Sequence, residues 1–218
     1  MKSVQLWQWL SIVGLLAQLS TCAPATAQVE AQGAFDSFGG CSRHTCGWSL
    51  SSDPKEFKAG DFSYSLNETT GYKFVVRRGK KVLLRTELAD LSGSIRAVWS
   101  DDQRSFAITW SDGGSIGRFH VRAFRIDGDS VIELPTVAKA FHEFKSRNWC
   151  KTRGDNVQAF DWFPDSSRLV LVASVYPTGD CGPDLGHTEA YVVNATNGDI
   201  EQHWSLRQLK SYMRLHPE

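Results

Sequence analysis

The chain has 218 residues, and its 24 lysines and arginines are matched by 24 aspartates and glutamates. Neutrality removes the electrostatic case for nucleic acid or an anionic membrane as a bulk partner. The length suits one domain with its own core.

Lys2 precedes an apolar run from Val4 to Leu19, carried by Trp7, Trp9, Leu10, Ile12, Val13, Leu15 and Leu16. Ala25-Thr26-Ala27 then puts small residues at the positions that signal peptidase requires. Gln5, Gln8 and Gln18 interrupt the run, which falls short of the roughly 20 apolar residues of a membrane span. Residues 1–27 are therefore predicted to be a cleavable signal peptide, giving a periplasmic or secreted product. Cleavage leaves 191 residues and a net charge of −1, since the segment holds Lys2 and no acid. The alternative is a lipoprotein: Leu19-Ser20-Thr21-Cys22 is similar to a lipobox, with Cys22 as the acylated residue. Thr21 stands where Gly, Ala or Ser is usual, so the soluble product ranks first.

Residues 28–47 read as a flexible lead-in with a cysteine pair, Cys41 and Cys46. From Trp48 the chain reads as short strands and turns, on period-two alternation and β-branched or aromatic runs. Phe62–Leu66 alternates. Tyr72–Val76 and Lys81–Thr86 flank Arg77-Arg78-Gly79-Lys80, a hairpin whose basic run reads as a solvated turn tip rather than a nucleic-acid patch. Strands follow at Arg96–Trp99, Ser105–Trp110, Phe119–Ile126 and Val131–Leu134, with Asp127-Gly128 as a turn. A helix over Pro135–Arg147 places Val137, Ala138, Phe141 and Phe144 on one face. Further strands are read at Gln158–Trp162, Arg168–Val175, Glu189–Asn194 and Asp199–Trp204, with Asn197-Gly198 turning the last pair. Over 205–218 a C-terminal helix is predicted, capped by Ser205 with Gln208 as its capping-box partner and a stripe of Leu206, Leu209 and Met213.

An internal repeat organises these elements. Ala97-Val98-Trp99-Ser100-Asp101-Asp102 and the following apolar strand match Phe160-Asp161-Trp162-Phe163-Pro164-Asp165 and its strand. The two tryptophans are 63 residues apart. Ala123–Asp129, with Gly128, matches Tyr191–Asp199, with Gly198. Lys73–Lys80 is a third copy of that second half, while its first half, near Trp48–Leu66, is degraded. Physically, Trp99 and Trp162 would end an inner strand and fill the gap between sheets. Asp102 and Asp165 would accept bonds from backbone amides two residues on.

The pattern resembles the blade repeat of TolB-type β-propellers, whose consensus is Trp-Ser-Pro-Asp-Gly-Lys followed by an apolar strand. The resemblance covers about 48–204 and implies an all-β, antiparallel, propeller-like domain with one or two short helices. Such propellers serve as binding platforms and as accessory domains of hydrolases. Three blades are too few for a closed ring. They would form an open stack, a six-bladed ring completed by a second chain, or a different sandwich that borrows the turn.

Without Cys22, four cysteines remain: Cys41, Cys46, Cys150 and Cys181. An even count in an exported chain favours two disulfides, with Cys41–Cys46 and Cys150–Cys181 preferred among three pairings. A bridge closing about 30 residues contributes on the order of 3 kcal/mol. A metal site from Cys41, His44, Cys46, Cys181 and His187 is the weaker alternative, because Cys-x4-Cys is wider than most zinc motifs. Asp180, Asp184 and Glu189 lack the spacing of a calcium loop. No phosphate loop or dinucleotide fingerprint occurs. No cofactor is expected. The leading reading is an exported, non-enzymatic module that binds protein, with a homodimer as an option, no nucleic acid, and membrane attachment only through a lipidated Cys22. A secreted enzyme or metal protein using residues 176–189, or a structural envelope lipoprotein, are the alternatives.

Overall fold

In the computed structural model the described residues are 40–41, 45–49, 56–67, 71–113, 118–147, 156–175 and 186–215. They form fourteen antiparallel strands and two helices. A first sheet is a simple meander of β3 (Glu56–Ala59), β4 (Phe62–Asn67), β5 (Lys73–Arg78) and β6 (Lys81–Glu87). The central sheet repeats that plan with β7 (Ser94–Trp99), β8 (Ser105–Ser111), β9 (Phe119–Asp127) and β10 (Ser130–Leu134). The third contains β11 (Asn156–Trp162), β12 (Arg168–Ser174), β13 (Thr188–Asn194) and β14 (Ile200–Ser205). Helix α1 (Thr136–Arg147) follows β10, and α2 (Leu206–Leu215) follows β14.

The lead-in does not stand apart from the body. β1 (Gly40–Cys41) and β2 (Thr45–Ser49) extend the central sheet beyond β7, so the expected boundary at 47 falls inside a strand. Trp48 pairs with Ile95 of β7, not with the first sheet, whose opening strand is β3. The first sheet therefore starts at Glu56, eight residues after Trp48.

The sheets stack as layers. Phe62, Tyr64, Leu66, Phe74 and Val76 of the first sheet pack on Ile95, Trp99, Phe106, Ile108 and Phe124 of the central one. The other face of the central sheet carries the smaller Val98, Ala107 and Ala123, which meet α1 and Val157, Ala159, Trp162, Leu169 and Leu171. Sandwiching explains why β8 is buried along its whole length, against the alternation of a one-faced strand. Small residues on that face let β11 come close. Its Asn156 accepts from the Phe119 amide of β9 (3.1 Å), its Ala159 amide donates to Thr109 Oγ1 of β8 (3.0 Å), and the Trp162 indole reaches Val98 of β7. β11 thus runs diagonally across three strands in turn. A bulge between Ala159 and Asp161 bends it there.

The two ends of the stack differ. On the far side of the first sheet lie Glu56, Lys58, Ser63, Ser65, Arg77, Arg85 and Glu87, a polar face. Beyond the third sheet, Leu209 of α2 is buried on Phe160, Val170, Val172 and Ala190. The predicted capping box forms: Gln208 Oε1 accepts from the Ser205 amide at 2.9 Å, and the Gln208 amide donates to Ser205 Oγ at 3.5 Å. Among the described residues, no core cluster joins the first sheet to the third, and the layers close no ring. No helix among them is long and apolar enough to cross a membrane.

Candidate functional site

The densest polar chemistry lies on β13 and β14, beside the last turn of α1. Alternation puts His187, just before β13, on the same side as Glu189 and Tyr191, and the β13–β14 register puts His203 opposite Tyr191. Glu189 is the hub, with its side chain only 12% exposed. Its Oε1 lies 2.9 Å from His187 Nε2, and its Oε2 lies 3.0 Å from His203 Nε2. Tyr191 donates its hydroxyl to the same Oε2 at 2.6 Å. Burial pushes the Glu189 carboxyl up, but the bonds from Tyr191 and His187 and the adjacent imidazoles outweigh it and hold it below the usual range. Burial, then the Glu189 bond and charge, drives the Tyr191 phenol upward. An ionised carboxylate only accepts, so His187 presents Nε2–H to it, while His203 stands at ion-pair distance from the same carboxylate. Phe144 of α1 stacks on His187 at 6.5 Å, and Tyr191 stacks on His203 at 5.2 Å. His187 remains 45% exposed and His203 33%.

The connection leading into this cluster is pinned at its base. The Val175 amide donates to His187 O at 2.8 Å, and the Gly186 amide to Val175 O at 3.1 Å. Cys181, Asp180 and Asp184 lie outside the described residues, as do His44, Cys150 and residues 1–39. Cys41 and Cys46 are opposite each other in the β1–β2 register, in a different sheet from His187. The described residues contain no group of three or more His, Cys, Asp or Glu that could hold a metal ion.

The repeat residues occupy equivalent places. Trp99 and Trp162 both end the first strand of a meander, opposite Phe106 and Leu169. Each indole is buried between layers, Trp99 against Phe106 (4.7 Å) and Tyr64 (5.4 Å). Trp162 Nε1–H donates to Val98 O at 3.1 Å. Asp102 Oδ1 accepts from the Arg104 amide and Asp165 Oδ1 from the Ser167 amide, both at 3.0 Å, the two-residue offset read from the sequence. Burial works to raise the Asp102 carboxyl, but bonds from Ser100 and the Arg104 amide leave it lowered. In both turns the next residue, Gln103 or Ser166, has a positive φ, of 57° and 56°. Gly79, Gly128 and Gly198 likewise turn the last hairpin of the three meanders at φ of 56°, 56° and 72°.

Three of the four tryptophans whose side chains are described, Trp99, Trp110 and Trp162, are core residues. The fourth, Trp204, is half-buried in a corner with Phe163 and Tyr212, whose hydroxyl donates to Asp161 at 2.9 Å. Arg168 lies over Phe163 at 4.1 Å.

His203 and Tyr191 are the cluster residues that the sequence reading misses. Counting back from the Asn197-Gly198 turn brings position 203 close to 191, but the irregularity between Val192 and Val193 obscures the register. Gly113-Gly114-Ser115-Ile116-Gly117 has nucleophile-elbow spacing, which corrects the expectation that the chain contains no such elbow. It joins antiparallel β8 to β9 instead of a strand to a helix, and Ser115 lies outside the described residues. No family model matches the chain, and no curated protein matches it.

Proposed function

We propose that this chain is an exported, non-enzymatic interaction module built on a propeller-like repeat of the TolB type, with a protein as its partner. The observation that carries the reading is the recurrence of one turn backbone. The Gln103 amide donates to Ser100 O at 2.9 Å and the Ser166 amide to Phe163 O at 2.8 Å. The Ser100 and Phe163 amides donate to Ser105 O and Arg168 O, both at 2.9 Å. Two segments with that much backbone in common, each followed by an apolar strand and a glycine-turned hairpin, are what a blade repeat supplies. The polar face of the first sheet and the α2 cover on the third favour an open stack over a ring completed by a second chain, which would need apolar ends. Glu189 supports binding over chemistry, since both its oxygens are taken by donors while two imidazoles stay accessible. Two disulfides, Cys41–Cys46 and Cys150–Cys181, belong to this proposal, since disulfides fit export.

The test is a photo-reactive residue introduced at His203, with Ser211 on the exposed side of α2 as control. A discrete protein adduct from His203 alone is expected in cells. No adduct from His203 would refute the proposed contact surface. A secreted enzyme using residues 176–189 is the second reading, favoured by the His187–Glu189 pair, an imidazole–carboxylate arrangement suited to general-base work. Stoichiometric metal in the purified protein would support it. Mass of the mature N-terminus separates both from a lipoprotein: Gln28 exposed, or Cys22 acylated.

A further inference from the structure

Formal neutrality conceals a segregation of charge on the first sheet. From Lys73 to Arg85 the β5–β6 hairpin holds six cations and no acid. Arg78 and Lys81 turn toward the central sheet and are spent on Asp129, at 3.3 and 2.6 Å. Lys73 pairs with Glu87 at 3.5 Å. The others are different. Arg77 bonds only the Ser65 hydroxyl, at 3.0 Å, and Arg77, Lys80 and Arg85 have no acidic partner among the described residues. Arg77 and Arg85 lie on the outward face, in the cross-strand rows of Lys58 and Ser65, with Lys80 at the turn beside them. Opposite Arg77 in the register stands Val82, 42% exposed and, among the described residues, one of three large apolar side chains left open to solvent. Glu56 and Glu87 are the acids of this face.

We propose that this face docks on an anionic phospholipid surface, with Arg77, Lys80 and Arg85 meeting headgroup phosphates and Val82 at the acyl boundary. Unpaired cations spread around an apolar side chain have the composition of an interfacial contact. Fluid headgroups rearrange to meet such a spread, whereas a protein partner would need its acids at fixed places. The reading goes beyond the proposed protein contact, which lies on the third sheet. Cations on an edge strand also deter strand pairing, and the experiment separates that role from lipid binding.

Purified mature protein is sedimented with vesicles of phosphatidylcholine, alone or mixed with anionic phosphatidylglycerol, at low and high salt. Wild type is expected to bind only the anionic vesicles and to leave them as salt rises. Arg77→Gln/Lys80→Gln/Arg85→Gln is expected to bind on the order of a hundredfold more weakly. Val82→Ser is expected to weaken binding several-fold. Arg207→Gln/Lys210→Gln/Arg214→Gln removes as many cations from α2 and is expected to leave binding within about twofold, because those charges face away from the membrane. If the hairpin triple variant fails to fold, Lys80→Gln alone, at the exposed turn, and Val82→Ser carry the test. The proposal is overturned if wild type ignores anionic vesicles, if the hairpin variants bind as wild type does, or if the α2 variant loses as much. Binding to soluble polyglutamate without binding to vesicles would also overturn it, in favour of an acidic protein.

Discussion

Gly79, Gly128 and Gly198 occupy the same turn in three meanders, so alanine at each asks one question three times. All three have positive φ, at 56°, 56° and 72°. An L-residue there costs about 1–2 kcal/mol, because Cβ crowds the backbone. At Gly79 and Gly128 a new Cβ meets nothing within 4 Å. At Gly198 it runs into the carbonyl of Pro135, whose carbon would lie 3.0 Å away, where α1 begins. That neighbour is backbone and cannot rotate aside, so overpacking adds about 1–3 kcal/mol. Gly79→Ala and Gly128→Ala should therefore each cost about 1 kcal/mol, and Gly198→Ala about 3 kcal/mol or more. In a domain this size each kcal/mol lowers Tm by about 2–4 °C. The assay is thermal and urea unfolding of the purified chain. Gly128→Asn, which accepts positive φ, should recover most of the loss at that site. A Gly198→Ala protein no less stable than Gly128→Ala would refute the packing of the third hairpin against α1.

Trp162→Phe should cost about 2 kcal/mol, from buried area and the lost bond to Val98, read as a lower urea midpoint. Glu133, Asp102, Asp165 and Glu189 all have carboxyls held below their ordinary values. Their stabilisation is present above the unfolded-state pKa near 4 and is lost as pH falls through the folded value, so Tm should stay level near neutrality and drop below about pH 4. Glu189→Gln should make that acid slope shallower. It should also cost about 1–3 kcal/mol at neutral pH, since an amide has one acceptor oxygen for the two donors, Tyr191 and His187; an unchanged slope would refute the contribution of Glu189. Reduction of the mature protein should add four hydrogens to its intact mass if the four cysteines left after cleavage form two disulfides. No change would refute both bridges.

The sequence carries the elements whose signal is local. The Ser205–Gln208 capping box, the glycine turns and the Asp102 and Asp165 turns depend on residues within a few positions of one another. All sit where the spacing put them. Layer assignment is less legible, because it depends on contacts far apart in the chain. Trp48 has the same strand propensity in either sheet, and its place beside β7 is set by pairing with Ile95. The Glu189 cluster shows the same limit. Glu189 and His187 look like members of an acidic loop, whereas their real neighbours, His203 and Tyr191, depend on a hairpin register shifted by one irregularity. The charge of the first sheet was legible as a basic run but not as a face, since alternation sends Arg77 outward and Arg78 inward to Asp129.

The number of layers follows from what the outer faces carry. A layer can be buried on both sides only if both sets of alternating residues are apolar or small, as in β8, β12 and β13. The first sheet fails that condition on its outer side. Arg77 and Arg85 flank Val75, which is itself buried, so another sheet packed there would strand unpaired guanidinium groups in a low-dielectric interface. The third sheet meets the condition on its outer side, and the chain covers it at once by running from β14 directly into α2, whose Leu209, Tyr212 and Met213 fill the space a fourth layer would take. A ring completed by a second copy would have to displace this helix at one end and bury charge at the other.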